Sequence, residues 1–225
     1  MGLSIAWVRR VCSGVLLAGA LAGIAGAGSA PSLAQSLEQQ IDSALKTQAS
    51  PHLTRGLAIT PSPGDPKAAD EARFIDQLRA RSIAVEPSQP GAAEERAKIA
   101  EIVRDKPRID LEIYFDYDSA VVGPKALPAL IALGNVLSRP DYASTIFFIN
   151  GYTDAKGSSD YNLGLSQRRA DAVRHVLIEQ FRLPANTLIP IGFGKEQLKF
   201  PEQPFADLNR RVQIVNTEQR ATVGR

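Results

Sequence analysis

Two hydrophobic rhythms alternate along the chain from Arg108 onward, one of period two and one near 3.6 residues. Arg108 to Phe115 (RIDLEIYF) places Ile109, Leu111, Ile113 and Phe115 on one side and charges on the other, which predicts a first strand. Pro124 to Leu137 carries Leu127, Leu130, Ile131, Leu133 and Leu137 at helical spacing. Thr145 to Tyr152 predicts a second strand, and its run Ile146-Phe147-Phe148-Ile149 is apolar without alternation. Such a run suits a strand buried on both faces. A second helix is expected from Asn162 to Phe181, with Leu165, Ala172, Val173, Val176 and Leu177 on one face. Thr187 to Ile191 reads as a short third strand ending at Gly192-Phe193-Gly194, and Arg210 to Asn216 (RRVQIVN) as the last. The expected fold is an α/β sandwich of order β-α-β-α-β-β, a mixed sheet with helices packed on one face.

The chain before Arg108 reads differently. Gln35 to Thr47 is a short amphipathic helix with Leu37, Ile41 and Leu45, expected to be solvated rather than docked. Ala68 to Arg81 is a second helix, with Phe74, Ile75 and Leu78 as its apolar side. Prolines 61, 63 and 66 precede it, and Pro87-Ser88-Gln89-Pro90 closes it. Ala92 to Lys106 is a third helix, stopped by Pro107. The apolar content is too low for an independent core, so residues 35–107 are expected to form a Pro-rich, partly helical arm. The domain proper is expected at 108–217, with a disordered tail at 218–225.

The first 34 residues follow the pattern of a signal peptide. Arg9 and Arg10 precede an uncharged apolar run, and Ser32-Leu33-Ala34 offers a small-residue cleavage site after Ala34. The alternative is an uncleaved inner-membrane anchor, because Val11 to Ala30 is about long enough to span. The single cysteine, Cys12, lies before the apolar run, where it cannot serve as a lipidation site. A chain cut after Ala34 therefore has no disulfide and no thiolate metal site. The sequence carries 26 Lys and Arg against 24 Asp and Glu, and losing Arg9 and Arg10 equalises them. Such balance argues against nonspecific nucleic-acid binding. No succession of alternating ten-residue segments precedes Arg108, so no transmembrane barrel is expected.

Chemistry-bearing residues gather around the second strand and second helix. Asp154 follows the strand in a loop rich in turn and cap formers, Gly157, Ser158, Ser159 and Asp160. Arg169 lies four residues from Leu165 and four from Val173, on or beside the apolar stripe, where a guanidinium is costly without an anion. Both belong to elements meeting at one end of a sheet, where ligand crevices form. A structural Asp154–Arg169 salt bridge explains the same spacing equally well.

Catalysis finds little support. The two histidines, His52 and His175, fall in the arm and mid-helix, and no G-x-S-x-G elbow occurs. Two histidines are too few for a histidine–carboxylate metal site, and Gly192-Phe193-Gly194 lacks the rest of a dinucleotide loop. Asp116 and Asp118 could in principle serve as a glycosidic acid pair, but strand-end acids are more often turn formers. Neither metal nor cofactor is expected.

Gly151 to Val173, GYTDAKGSSDYNLGLSQRRADAV, resembles the signature of the OmpA-like C-terminal domain: a Gly-His-Thr-Asp turn, Gly-Ser, Tyr-Asn, then Leu-Ser-x-x-Arg-Ala. Phe115-Asp116-Tyr117-Asp118-Ser119 upstream and Asn209-Arg210-Arg211-Val212 downstream match two further blocks in order. One departure is Tyr152 in place of the usual His. The resemblance implies a non-catalytic periplasmic module that binds the diaminopimelate of the peptidoglycan stem peptide and links envelope to cell wall. It also leaves room for outer-membrane or other envelope partners. Carried over position by position, it implies ligand contacts at Asp154, Arg169, Asn162, Thr153, Asp118 and Arg210. Phe115, Asn209 and Arg211 are expected to be mainly structural. Alternatives are a stator-like wall-binding protein held in the inner membrane, and, more remotely, a periplasmic hydrolase.

Overall fold

Why each face of one sheet is covered by different helices follows from the pattern of β2. The computed structural model describes residues 32–46, 66–81, 91–111, 113, 115 and 119–218. Residues 1–31 of the leader reading (1–34), the tail beyond 218, His52, Asp116 and Asp118 fall outside the described residues. Three helices come first: α1 (Leu33–Lys46), α2 (Pro66–Arg81) and α3 (Ala92–Arg104). Then follow β1 (Arg108–Leu111), α4 (Leu127–Leu137), β2 (Phe147–Tyr152), α5 (Ser159–Phe181), β3 (Leu188–Gly194) and β4 (Val212–Asn216). The four strands form one mixed sheet in the order β1-β4-β2-β3. β4 runs antiparallel to β1 and β2, while β2 and β3 are parallel and joined across α5.

Every residue of β2 is buried. Phe147 and Ile149 pack with Ile214, with Leu130 and Leu133 of α4, and with Val173 and Leu177 of α5. Phe148 and Tyr152 point the other way, with Ile189, Ile191, Phe193 and Val215. That second face is covered by Phe74, Ile75 and Leu78 of α2 and by Ile99, Ile102 and Val103 of α3. The expectation of helices on one face thus holds for α4 and α5, and two helices of the arm, α2 and α3, cover the other. The described residues, all within 31–225, belong to one compact unit.

The solvated reading of α1 is corrected. Ile41 and Leu45 have 0% exposure and join the core beside α4. Burying two such side chains stabilises the contact by roughly 1.5–3 kcal/mol each. Asn216 Nδ2 donates to the Leu45 carbonyl at 3.1 Å, and Tyr142 Oη donates to Asp42 at 2.8 Å. Arg139 pairs with both Glu38 and Asp42. Burial alone would raise the Asp42 pKa, but hydrogen bonds from Lys46 and Tyr142 outweigh it and hold the carboxyl low.

β1 is shorter than the alternating pattern predicts. The Ile113 N–H donates back to the Leu111 carbonyl at 3.0 Å, which ends ladder pairing, and Phe115 rejoins only as a single bridge to Val122. α5 lies unusually close to the sheet. A Cβ on Gly192 would sit 2.6 Å from the Gln167 backbone nitrogen, so only glycine admits the helix there. Gln167 uses the approach: its Oε1 accepts from the Gly192 N–H at 2.7 Å, and its Nε2 donates to the Pro190 carbonyl at 3.2 Å. Among the described residues no helix is long and apolar enough to cross a membrane.

Candidate functional site

At the end of β2 the register shifts between Gly151 and Tyr152, and the chain leaves the sheet. The Thr153 N–H still donates to the Gly194 carbonyl at 2.8 Å, so the first loop residue is pinned to β3. Asp154 then closes a tight turn by accepting from the Lys156 N–H at 3.0 Å. Gly157 takes φ 94°, a left-handed value that glycine adopts without strain. Ser158 caps α5 by accepting from the Tyr161 N–H at 3.2 Å. Asn162 braces this loop from inside: its Nδ2 donates to the Lys156 carbonyl at 2.8 Å and to that of Ser158 at 3.0 Å.

Two turns along α5, Arg169 is only 5% exposed. Its Nε donates to the Ser119 carbonyl at 3.0 Å, and its guanidinium carbon lies 5.0 Å from the centre of the Phe115 ring. Carbonyl and ring both help to offset the cost of burying this cation. The ion pair of Asp154 is with Arg210, at 2.9 Å, and not the structural bridge to Arg169 that spacing allowed. Arg210 also holds Asp207, at 2.6 Å. Partial burial works against the Arg210 charge, but hydrogen bonds to Asp154 and Asp207 outweigh it and raise its pKa above the ordinary value.

These groups line one cavity of about 920 Å³ at the strand ends. Thr153, Asp154, Asn162, Arg169 and Arg210 all border it, as do Phe115, Lys156, Tyr161, Leu165 and Phe205. The Thr153 hydroxyl is buried and has no hydrogen-bond partner among the described residues. Five of the six residues singled out from the sequence therefore meet at this cavity, and the sixth, Asp118, lies outside the described residues. Sequence reasoning did not single out Lys156, Tyr161 or Phe205. Phe205 carried a readable signal, an aromatic in a polar, proline-containing loop between the last two strands.

The neighbouring positions behave as supports. Asn209 is fully buried, accepts from the Phe200 N–H at 2.9 Å and donates to the Gln203 carbonyl at 2.9 Å. Arg211 lies 3.9 Å from the Tyr152 ring centre, and its Nε lies 3.6 Å from Asp110. Tyr152 stacks on Phe193 at 5.3 Å, and its hydroxyl donates to Gln213 at 3.3 Å. Burial pushes its phenol up to about 12. The residue that departs from the family turn thus packs beneath α2 and α3, away from the cavity lining.

The class that emerges is an α/β module, a mixed four-stranded sheet whose strand ends frame a charged cavity. Residues 114–211, somewhat under half of the chain, match the OmpA family and form an OmpA family domain. It is 31% identical over 123 residues to outer membrane porin F of Pseudomonas aeruginosa, covering 51% of this chain and 32% of that protein. It is 35% identical over 104 residues to the peptidoglycan-associated lipoprotein of Pseudomonas aeruginosa, covering 45% of this chain and 59% of that one. The chain therefore spans about a third and about three fifths of these relatives. Among solved structures, the peptidoglycan-associated lipoprotein of Burkholderia pseudomallei aligns at 32% identity with TM-score 0.40, over 46% of this chain and 87% of that one.

Proposed function

We propose that this chain binds peptidoglycan noncovalently through the diaminopimelate of its stem peptide, without catalysis, and so ties the cell envelope to the wall from the periplasm. The observation that carries the reading is the meeting of the Asp154 carboxylate and the Arg169 guanidinium on one cavity. The free end of diaminopimelate bears a carboxylate and an ammonium on a single carbon, and a site for it needs one group of each sign. In this reading Arg169 grips the carboxylate as a planar fork, and Asp154 accepts from the ammonium. Arg210 holds Asp154 in place, the Thr153 hydroxyl gains the partner it lacks, and Asn162 keeps the loop in shape. Support comes also from the relatives, one named for peptidoglycan association and one for the outer membrane.

Cosedimentation with purified diaminopimelate-type sacculi tests this. The wild type is expected in the pellet and the folded Asp154→Ala and Arg169→Ala proteins in the supernatant. Equal pelleting of all three, with folding verified by circular dichroism, sinks the assignment of these two residues.

A further inference from the structure

A single diaminopimelate end fills a small part of a cavity of about 920 Å³, near the top of the range for small-molecule sites. What surrounds the remainder is apolar and exposed. Phe205 is 67% exposed and Tyr161 is 43% exposed, and both border the same cavity as Arg169 and Asp154. Val121 and Leu208 are exposed nearby in sequence: Val121 follows the Ser119 that holds Arg169, and Leu208 precedes Arg210. Four of the six large apolar side chains exposed among the described residues thus belong to segments that build this site. Phe205 is held at its post. The Ala206 N–H donates to the Gln203 carbonyl at 3.0 Å, forming a turn across Pro204 and Phe205. Asn209 Nδ2 donates to the same carbonyl, and the Pro204 carbonyl accepts from the Ala155 N–H at 2.9 Å. The turn is tied on one side to Ala155 in the Asp154 loop and on the other to Asn209, and its aromatic ring faces water. Exposing a fixed aromatic is costly unless a partner covers it.

We propose that Phe205 and Tyr161 form a saccharide subsite contiguous with the stem-peptide site, with the sugar that bears the peptide lying on the Phe205 ring. The inference rests on the peptidoglycan reading and extends it. A pyranose presents one face of C–H groups, and a flat aromatic covers that face while leaving the hydroxyls in water. The geometry of the ligand agrees. Diaminopimelate is the third residue of the stem, so the sugar lies roughly 10 Å away along an extended chain, beyond the groups that grip the diaminopimelate itself. Lys156, bordering the same cavity, offers a cation to the acidic stem residue in between.

The test is calorimetric titration of the purified protein with two ligands, a disaccharide–tripeptide and the same tripeptide without sugar. The wild type is expected to bind the first more tightly. Phe205→Ala is expected to weaken the disaccharide–tripeptide by about three- to tenfold and to leave the bare tripeptide unchanged. Phe205→Trp restores the difference. Both variants sit at an exposed position, so folding is preserved. An equal loss on both ligands, or no loss on either, overturns the saccharide subsite while the peptide site stands. If the wild type binds neither ligand, the peptidoglycan reading falls and the subsite with it.

Discussion

Two buried arginines at the strand ends, Arg169 and Arg211, use the same devices to opposite ends. Each lies beside an aromatic ring, Phe115 in one case and Tyr152 in the other, and each donates to backbone carbonyls. Arg211 is enclosed: Asp110, the Asn209 and Gln197 carbonyls and the Tyr152 ring surround it. Arg169 borders a cavity that also holds an aspartate. Burial, charge and ring contact are therefore shared by a structural arginine and a candidate ligand-binding one. Access to the cavity separates them.

Several experiments press on that distinction. The largest effect is expected from Arg169→Ala, a loss of sacculus affinity on the order of 100-fold with the melting temperature nearly unchanged. Arg169→Lys recovers little of it, because an ammonium cannot form the planar fork. Arg211→Ala is expected to do the reverse. Its loss takes one of two cations from Asp110, the donor from the Asn209 and Gln197 carbonyls and the cover from the Tyr152 ring, together about 2–3 kcal/mol and roughly 5–10 °C in melting temperature, with affinity at lower temperature retained. If Arg211→Ala abolishes binding in folded protein, the two corners are not separable.

Acid sharpens the contrast further. Burial pushes the Asp110 pKa upward, but hydrogen bonds from Lys199 and Gln213, with the Arg211 charge, outweigh it and hold the carboxyl low. A carboxyl depressed in the folded state contributes stability that is fully present above its unfolded value, about 3.9, and is lost as pH falls through its folded value. Asp42 behaves alike on the opposite side of the sheet. Urea titrations should therefore show stability flat from neutrality to about pH 5 and falling below about pH 4. Asp110→Asn should flatten that fall. The smallest effect is expected from Tyr152→Phe, about 1 kcal/mol or less in the same titrations, because only the long 3.3 Å bond to Gln213 is lost. Wall binding should not change.

Much of this arrangement is legible in the order of residues. The β-α-β-α-β-β succession follows from period changes alone, and the loop from Thr153 to Asn162 announces itself by its cap and turn formers. What was hard to read is long-range. Ile146 to Ile149 demanded cover on both faces of β2, and α4 and α5 supply only one. Phe74, Ile75, Leu78 and Ile99 provide the other, but each helix carries too few apolar residues to signal a core by itself. Their partners lie across a sheet that local periodicity cannot see. The same holds for the pairing of Asp154 with Arg210, which is set by a loop returning from β3 and not by spacing along α5.

The clasp between α1 and the rest has a mechanical meaning. The Leu45 carbonyl is tied to Asn216 in β4, a strand flanked by neighbours on both sides. A chain cut after Ala34 would begin at Gln35 within α1, so its new N-terminus would be held to that strand through one helix, seated by Ile41 and Leu45 and rimmed by Glu38, Asp42 and Arg139. Lifting that helix would uncover Ile41 and Leu45 and part the Leu45 carbonyl from Asn216, whereas the residues that line the cavity at the strand ends belong to other elements.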